Sequence, residues 1–82
     1  MGDGTINVMV VDDHRVLRTG LRLILDRSPG VHCVGEAATA EEGLRVADRE
    51  HPDVVVMDMR MPGMGGLAGV RELVRRHPGR RW

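Results

Sequence analysis

The stretch "INVMVVDDHRVLRTGL", residues 6–21, decides how the chain folds. An almost unbroken apolar run, rich in β-branched residues, stops at Asp12 and Asp13, and an amphipathic segment begins at once. Apolar runs without polar alternation suit strands covered on both faces, as in a parallel sheet. The pattern returns at "VVVMD", residues 54–58, where a second such run ends at Asp58. Two buried strands that each end in a carboxylate raise the question of what those carboxylates meet.

Working outward, "VHCVGEA" (31–37) is shorter in apolar content and reads as an edge strand. Leu17, Leu21, Ile24 and Leu25 fall at i, i+4, i+7 and i+8, one stripe of a helix, which "SPG" (28–30) stops. Thr39 and Glu42 form a capping box, in which hydroxyl and carboxylate each satisfy an orphan backbone N–H. Leu44 and Ala47 face inward from that helix, and "HPD" (51–53) ends it. Leu67, Val70, Leu73 and Val74 make a third stripe, stopped by "HPG" (77–79). The order β-α-β-α-β-α implies right-handed crossovers and an α/β fold with an open parallel sheet. The expected division is a tail over 1–5, one domain over 6–78 and a tail over 79–82.

The chain's 82 residues suffice for one small domain of marginal stability. Twelve cationic side chains balance twelve anionic ones, which gives no general pull toward nucleic acid or an anionic membrane. All twelve cations are arginine. Cys33 is the lone cysteine, so no intrachain disulfide forms and a cytoplasmic setting is expected. "MGDGTIN" has neither the charged head nor the apolar core of a signal peptide, and no apolar run approaches the roughly 20 residues that span a bilayer.

In a parallel sheet the carboxyl ends of all strands lie on one side, where ligands bind. If the first and third strands are neighbours, Asp12, Asp13 and Asp58 converge. Three like charges so close raise one another's pKa unless a cation neutralises them. A hard divalent ion such as Mg2+, or Mn2+ in its place, is the natural partner. Such a pocket brings a phosphoryl group up to a carboxylate nucleophile while the metal screens both anions. The plainer reading stands beside it: Asp13, just before His14, serves only as a helix N-cap.

The segments "VMVVDDHRVLRTGL", "CVGEAATAEEGL" and above all "HPDVVVMDMRMPGMGGL" resemble the receiver domains of bacterial response regulators, with the NarL/FixJ branch as the nearest form. The resemblance runs over residues 6–78. It implies a partial flavodoxin-like (βα)3 fold with strand order 2-1-3, and a signalling role in a two-component phosphorelay rather than an enzyme's. Asp58 matches the phosphoacceptor, Asp12 and Asp13 the acidic pair that holds Mg2+, and the backbone carbonyl of Arg60 a further metal ligand. Pro62 and Gly63 match the loop that turns the chain away from the site. A sensor histidine kinase is the implied partner.

Receivers have five strands and five helices, whereas this sequence stops at "PGRRW" after its third helix, so the resemblance describes a truncated domain. The family's hydroxyl residue on strand four and its lysine on strand five have no counterpart, and an arginine is not a like-for-like substitute for that lysine. Asp58 is therefore expected to be an impaired phosphoacceptor. The alternative is a module that never switches and self-associates through the exposed edge of the third strand or the face of helix one. A metal-dependent phosphatase ranks last, because Arg60 stands where a second acid is needed. Gly65 takes the place of a polar cap on the third helix, at little cost. "GMGG" (63–66) is misplaced for a dinucleotide fingerprint. His14, beside the acid pair, reads as a solvated first-turn residue ahead of a ligand contact, Cys33 as a small buried hydrophobe and "RRHPGRRW" (75–82) as a frayed end ahead of a polyanion contact.

Overall fold

A computed structural model describes residues 4–60, 63 and 65–78. Its elements run β1 (Ile6–Val11), α1 (Arg15–Asp26), β2 (Val31–Ala37), α2 (Ala40–Glu50), β3 (Val54–Met57) and α3 (Gly65–Arg76). Pro62, residues 1–3 of the expected amino-terminal tail and the whole 79–82 tail lie outside the described residues.

The three strands form a parallel sheet in the order β2-β1-β3, with β1 in the middle. The central position explains the apolar run of β1: Val8 to Val11 are all buried. Ile6 pairs with Val31 and Val8 with Cys33, but Met9 pairs with Gly35, so Val34 is the extra residue of a bulge on the edge strand. Asp53 fixes the entry to β3. Its amide donates to Asn7 O at 2.8 Å, and its Oδ2 accepts from the Asn7 amide at 2.9 Å.

Successive strand residues face opposite sides of the sheet. Met9, Val11 and Val55 pack with Leu44 and Ala47 of α2 and Leu73 of α3, which is fully buried. Burying a side chain of that size is worth about 1.5–3 kcal/mol, so this layer supplies most of the fold's stability. α2 is capped as expected, with one difference. The Glu42 amide donates to Thr39 Oγ1 at 3.0 Å, but Glu42 Oε1 accepts from the amide of Ala38, one residue earlier than the usual reciprocal bond. His51 closes the helix in the left-handed conformation, with φ of 50°.

The other face is thinner. Val10 and Val56 share it with Leu17 and Leu21 of α1 around a shallow groove. No α1 residue is fully buried, and Leu17 and Ile24 remain 50% and 64% exposed. The expected α1 stripe is thus only half covered, because α1 lies over β1 and β2 and leaves the β3 side open. The third stripe is likewise partial: Leu73 is buried while Leu67 and Val74 are exposed. Cys33 is only partly buried, its Sγ 3.5 Å from Gly35 O, because it sits on the edge strand.

Candidate metal centre

Two backbone bonds bring the carboxylates together. The Asp12 amide donates to Ala37 O at 3.0 Å, which pins the end of β1 to β2. The Asp58 amide donates to Val11 O at 2.9 Å, which sets the end of β3 beside the acid pair. Parallel pairing with β1 in the centre is what makes this meeting unavoidable.

Asp12 is buried at 6% exposure, while Asp13 is open to solvent and Asp58 lies between the two. One ligand atom each from Asp12, Asp13, His14 and Asp58 lies within 4.8 Å of all the others. Carboxylate oxygens from two strand ends, gathered on one side, are the donor set a hard divalent cation takes, so the residues present fit Mg2+. The Arg60 amide donates to Asp58 Oδ1 at 2.9 Å, folding the chain back over the end of β3. Gly66 makes that turn feasible. A Cβ there would collide with the backbone of Met59 and stand 2.8 Å from Asp58 O.

His14 is solvated, as the sequence suggests, yet its ring also leans over the acid pair. Its Nδ1 lies 2.9 Å from Asp12 Oδ1, 3.0 Å from Asp13 Oδ1 and 3.8 Å from Asp58 Oδ2. His14 is also the N-cap residue of α1, but its side chain makes no capping bond. The N-cap role offered to Asp13 fails as well. Instead Asp12 Oδ1 accepts from the His14 amide at 2.8 Å. The sequence signal for His14 was its place directly after the acid pair, where a tight turn swings the ring back over the carboxylates.

Burial pushes the Asp12 carboxyl up, but the His14 amide, its imidazole and the nearby Arg18 charge outweigh this and hold it below its ordinary value. The bond to Asp12 and the charges of Asp13 and Asp12 raise the His14 imidazole.

Behind this cluster stands a support that sequence reasoning missed. Arg18 Nη1 donates to the backbone carbonyl of Asp12 at 2.8 Å, and its Nε donates to Glu36 Oε1 at 2.9 Å. Arg22 Nη1 donates to Glu36 Oε2 at 3.0 Å. Glu36 lies on the edge strand, eighteen residues from Arg18, and no local pattern pairs them. His51 and His77, which each precede a proline, meet edge to face at 5.8 Å, and His77 Nε2 lies 2.8 Å from Asp48 Oδ1. These contacts join α2 to the end of α3.

Comparison with known proteins agrees with the geometry. Residues 8–81 match the response regulator receiver domain family. Response regulator GacA of Pseudomonas viridiflava is 49% identical over 73 residues, which are 89% of this chain and 34% of GacA. Response regulator UvrY of Escherichia coli is 46% identical over 70 residues, 85% of this chain and 32% of UvrY. The chain thus spans about a third of the length of the relatives it matches. Among solved structures, a two-component response regulator of the LuxR family from Aurantimonas sp. superposes with a TM-score of 0.88. It is 40% identical, with 94% of this chain and 55% of that one covered. The response regulator domain of Thermotoga maritima CheB also gives a TM-score of 0.88 at 34% identity, with 94% and 57% covered.

Proposed function

Because the chain belongs to the response regulator receiver domain family, we propose that it takes part in a two-component phosphorelay, with Asp58 as phosphoacceptor beside a Mg2+ site. The observation that carries this reading is the convergence of Asp12, Asp13 and Asp58 at one sheet edge. Asp12, Asp13 and Asp58 would hold the metal through carboxylate oxygens, with the backbone carbonyl of Arg60 as a further ligand. When bound, Mg2+ supplies the positive charge that screens the three carboxylates from an incoming phosphoryl group.

The chemistry is a displacement at phosphorus. A carboxylate oxygen of Asp58 forms the new P–O bond, and the bond from phosphorus to the donor breaks. The electron pair leaves with the donor, a phosphohistidine imidazole of a sensor kinase or the leaving group of a small phosphodonor, which then takes up a proton. The product is an acyl phosphate on Asp58. Asp12, buried and held in its ionised form, stays a charged neighbour throughout. None of these 82 residues is a lysine, so none of them supplies the lysine charge of the family's site. Each such donor is worth about 2.7–4 kcal/mol, so transfer to this chain should run about a hundred-fold or more below the rate of an intact receiver.

Incubation with a small phosphodonor and Mg2+, followed by mass spectrometry, tests the reading. One phosphoryl group should appear slowly on the wild type and not on Asp58→Asn. Equal modification of both proteins would remove Asp58 from the role.

A second reading draws on the uncovered surface. No described strand pairs with the outer edge of β3, where Val56 is 42% exposed, and Leu17 and Ile24 of α1 stand open on the same side. An unpaired strand edge beside exposed apolar side chains favours association. The partner would be a second copy of the chain, joined through the β3 edge or the α1 face. Among the described residues no helix is long and apolar enough to cross a membrane. The single free cysteine goes with a cytoplasmic setting.

A further inference from the structure

We propose that His14 is a nitrogen ligand of the metal centre and decides which cations it accepts, admitting transition ions such as Co2+ and Ni2+ beside Mg2+. The proposal rests on the reading of Asp12, Asp13 and Asp58 as a metal site and adds to it a residue that reading leaves unused.

Three observations carry it. The imidazole is aimed inward: Nδ1 is 2.9 and 3.0 Å from oxygens of Asp12 and Asp13, and 3.8 Å from one of Asp58. Adjacent ligands of an octahedral ion with bonds of about 2.1 Å stand about 3.0 Å apart, so a cation that replaced the Nδ1–Asp12 hydrogen bond would meet nitrogen and oxygen without a large shift of either. Second, beyond its hydrogen bond to Asp12 the ring is not tied into the fold. It makes no capping bond to α1, and its side chain is 69% exposed. Third, the donor set changes character with it. Three carboxylates alone suit Mg2+, whereas an added imidazole suits the later first-row ions, which Mg2+ does not match in affinity for nitrogen.

Any mixed nitrogen and oxygen site binds Ni2+ more tightly than Mg2+, so the preference alone proves nothing. What His14 predicts is a difference between variants. Mg2+ readily keeps water in place of a protein ligand, and removing the ring should leave its affinity nearly unchanged. Ni2+ should lose a bond.

The test is calorimetric titration of the 82-residue chain with Mg2+ and with Ni2+, in the wild type, His14→Ala, His14→Gln and Asp58→Ala. Loss of His14 should weaken Ni2+ binding by about tenfold or more and change Mg2+ binding by less than about twofold. Substoichiometric Ni2+ should also broaden the His14 ring resonances before those of His32, His51 and His77. Unchanged Ni2+ affinity in both His14 variants, or first broadening at another histidine, overturns the proposal. Undiminished Mg2+ binding by Asp58→Ala overturns the metal-site reading beneath it. Mg2+ binding lost in Asp58→Ala, with Ni2+ binding indifferent to His14, overturns the role of His14 alone.

Discussion

Arg18 on α1 and Glu36 on β2 form a side-chain pair at 2.9 Å, and the same guanidinium holds the backbone carbonyl of Asp12 at 2.8 Å. One arginine therefore joins the first helix, the edge strand and the end of the central strand. Its side chain is largely sheltered, so the pair is stronger than a surface salt bridge, although Glu36 keeps some contact with water. α1 has no fully buried residue, so this polar tie adds to the partly covered apolar contacts that hold the helix over the sheet.

Arg18→Met keeps the apolar stem and removes the tie. Hydrogen bonds to charged groups contribute about 1.5–3 kcal/mol, and partial exposure reduces this, so a loss of about 1–2 kcal/mol is expected. Urea unfolding followed by circular dichroism measures it. A change below about 0.3 kcal/mol would show that α1 is held by its apolar contacts alone.

The same pair sets a pH dependence. The Arg18 bond, aided by Arg22 and opposed by burial, holds the Glu36 carboxyl below its ordinary value of 4.5. A depressed folded-state pKa gives stability that is fully present above the unfolded value and is lost as pH falls from there through the folded value. Glu36→Gln should therefore be less stable than the wild type at pH 7, with the gap closing once pH drops below 4.5. Unfolding curves collected between neutral pH and pH 3 read this out. A gap that stays constant across that range would contradict the assignment.

Gly66→Ala should damage both the fold and the site. The added methyl meets backbone atoms of Met59 and Asp58, which cannot rotate away as a flexible side chain would. Either α3 retreats or the Asp58 turn opens, and a strained core change of this kind costs about 1–3 kcal/mol. Mg2+ titration of whatever fraction folds should show weaker binding. Gly20→Ala is the control, since a Cβ there meets nothing within 4 Å. Equal stability of the two variants would mean that the turn has slack.

The β3 edge, which no described strand covers, and the half-covered α1 face should make this 82-residue chain self-associate. Light scattering over a range of micromolar concentrations is expected to show a dimer or larger species, with a melting temperature that rises with concentration. Replacing Leu17 and Ile24 together by glutamine should reduce association if the α1 face is used, and leave it intact if the β3 edges pair. A cooperatively melting monomer of the unmodified chain at every concentration would count against both arrangements.

The sequence by itself determined the six elements and the family. Short apolar runs, prolines at helix ends and the Thr39–Glu42 cap are local signals, and local chemistry settles where strands and helices begin and stop. It also marked Asp12, Asp13 and Asp58, because an acid that closes a buried strand has few reasons to be there. Only the tertiary structure decided what His14 and Arg18 do. The His14 contact depends on a turn that swings the ring over the adjacent carboxylates, which its place after them only hints at, and the Arg18 contact on a helix packed across an edge strand, which leaves no spacing in the sequence. The α1 stripe marks the same limit: the helix forms as its spacing implies, and its cover is a tertiary matter. Periodicity tells which side chains share a face, but whether that face is covered depends on what else packs there.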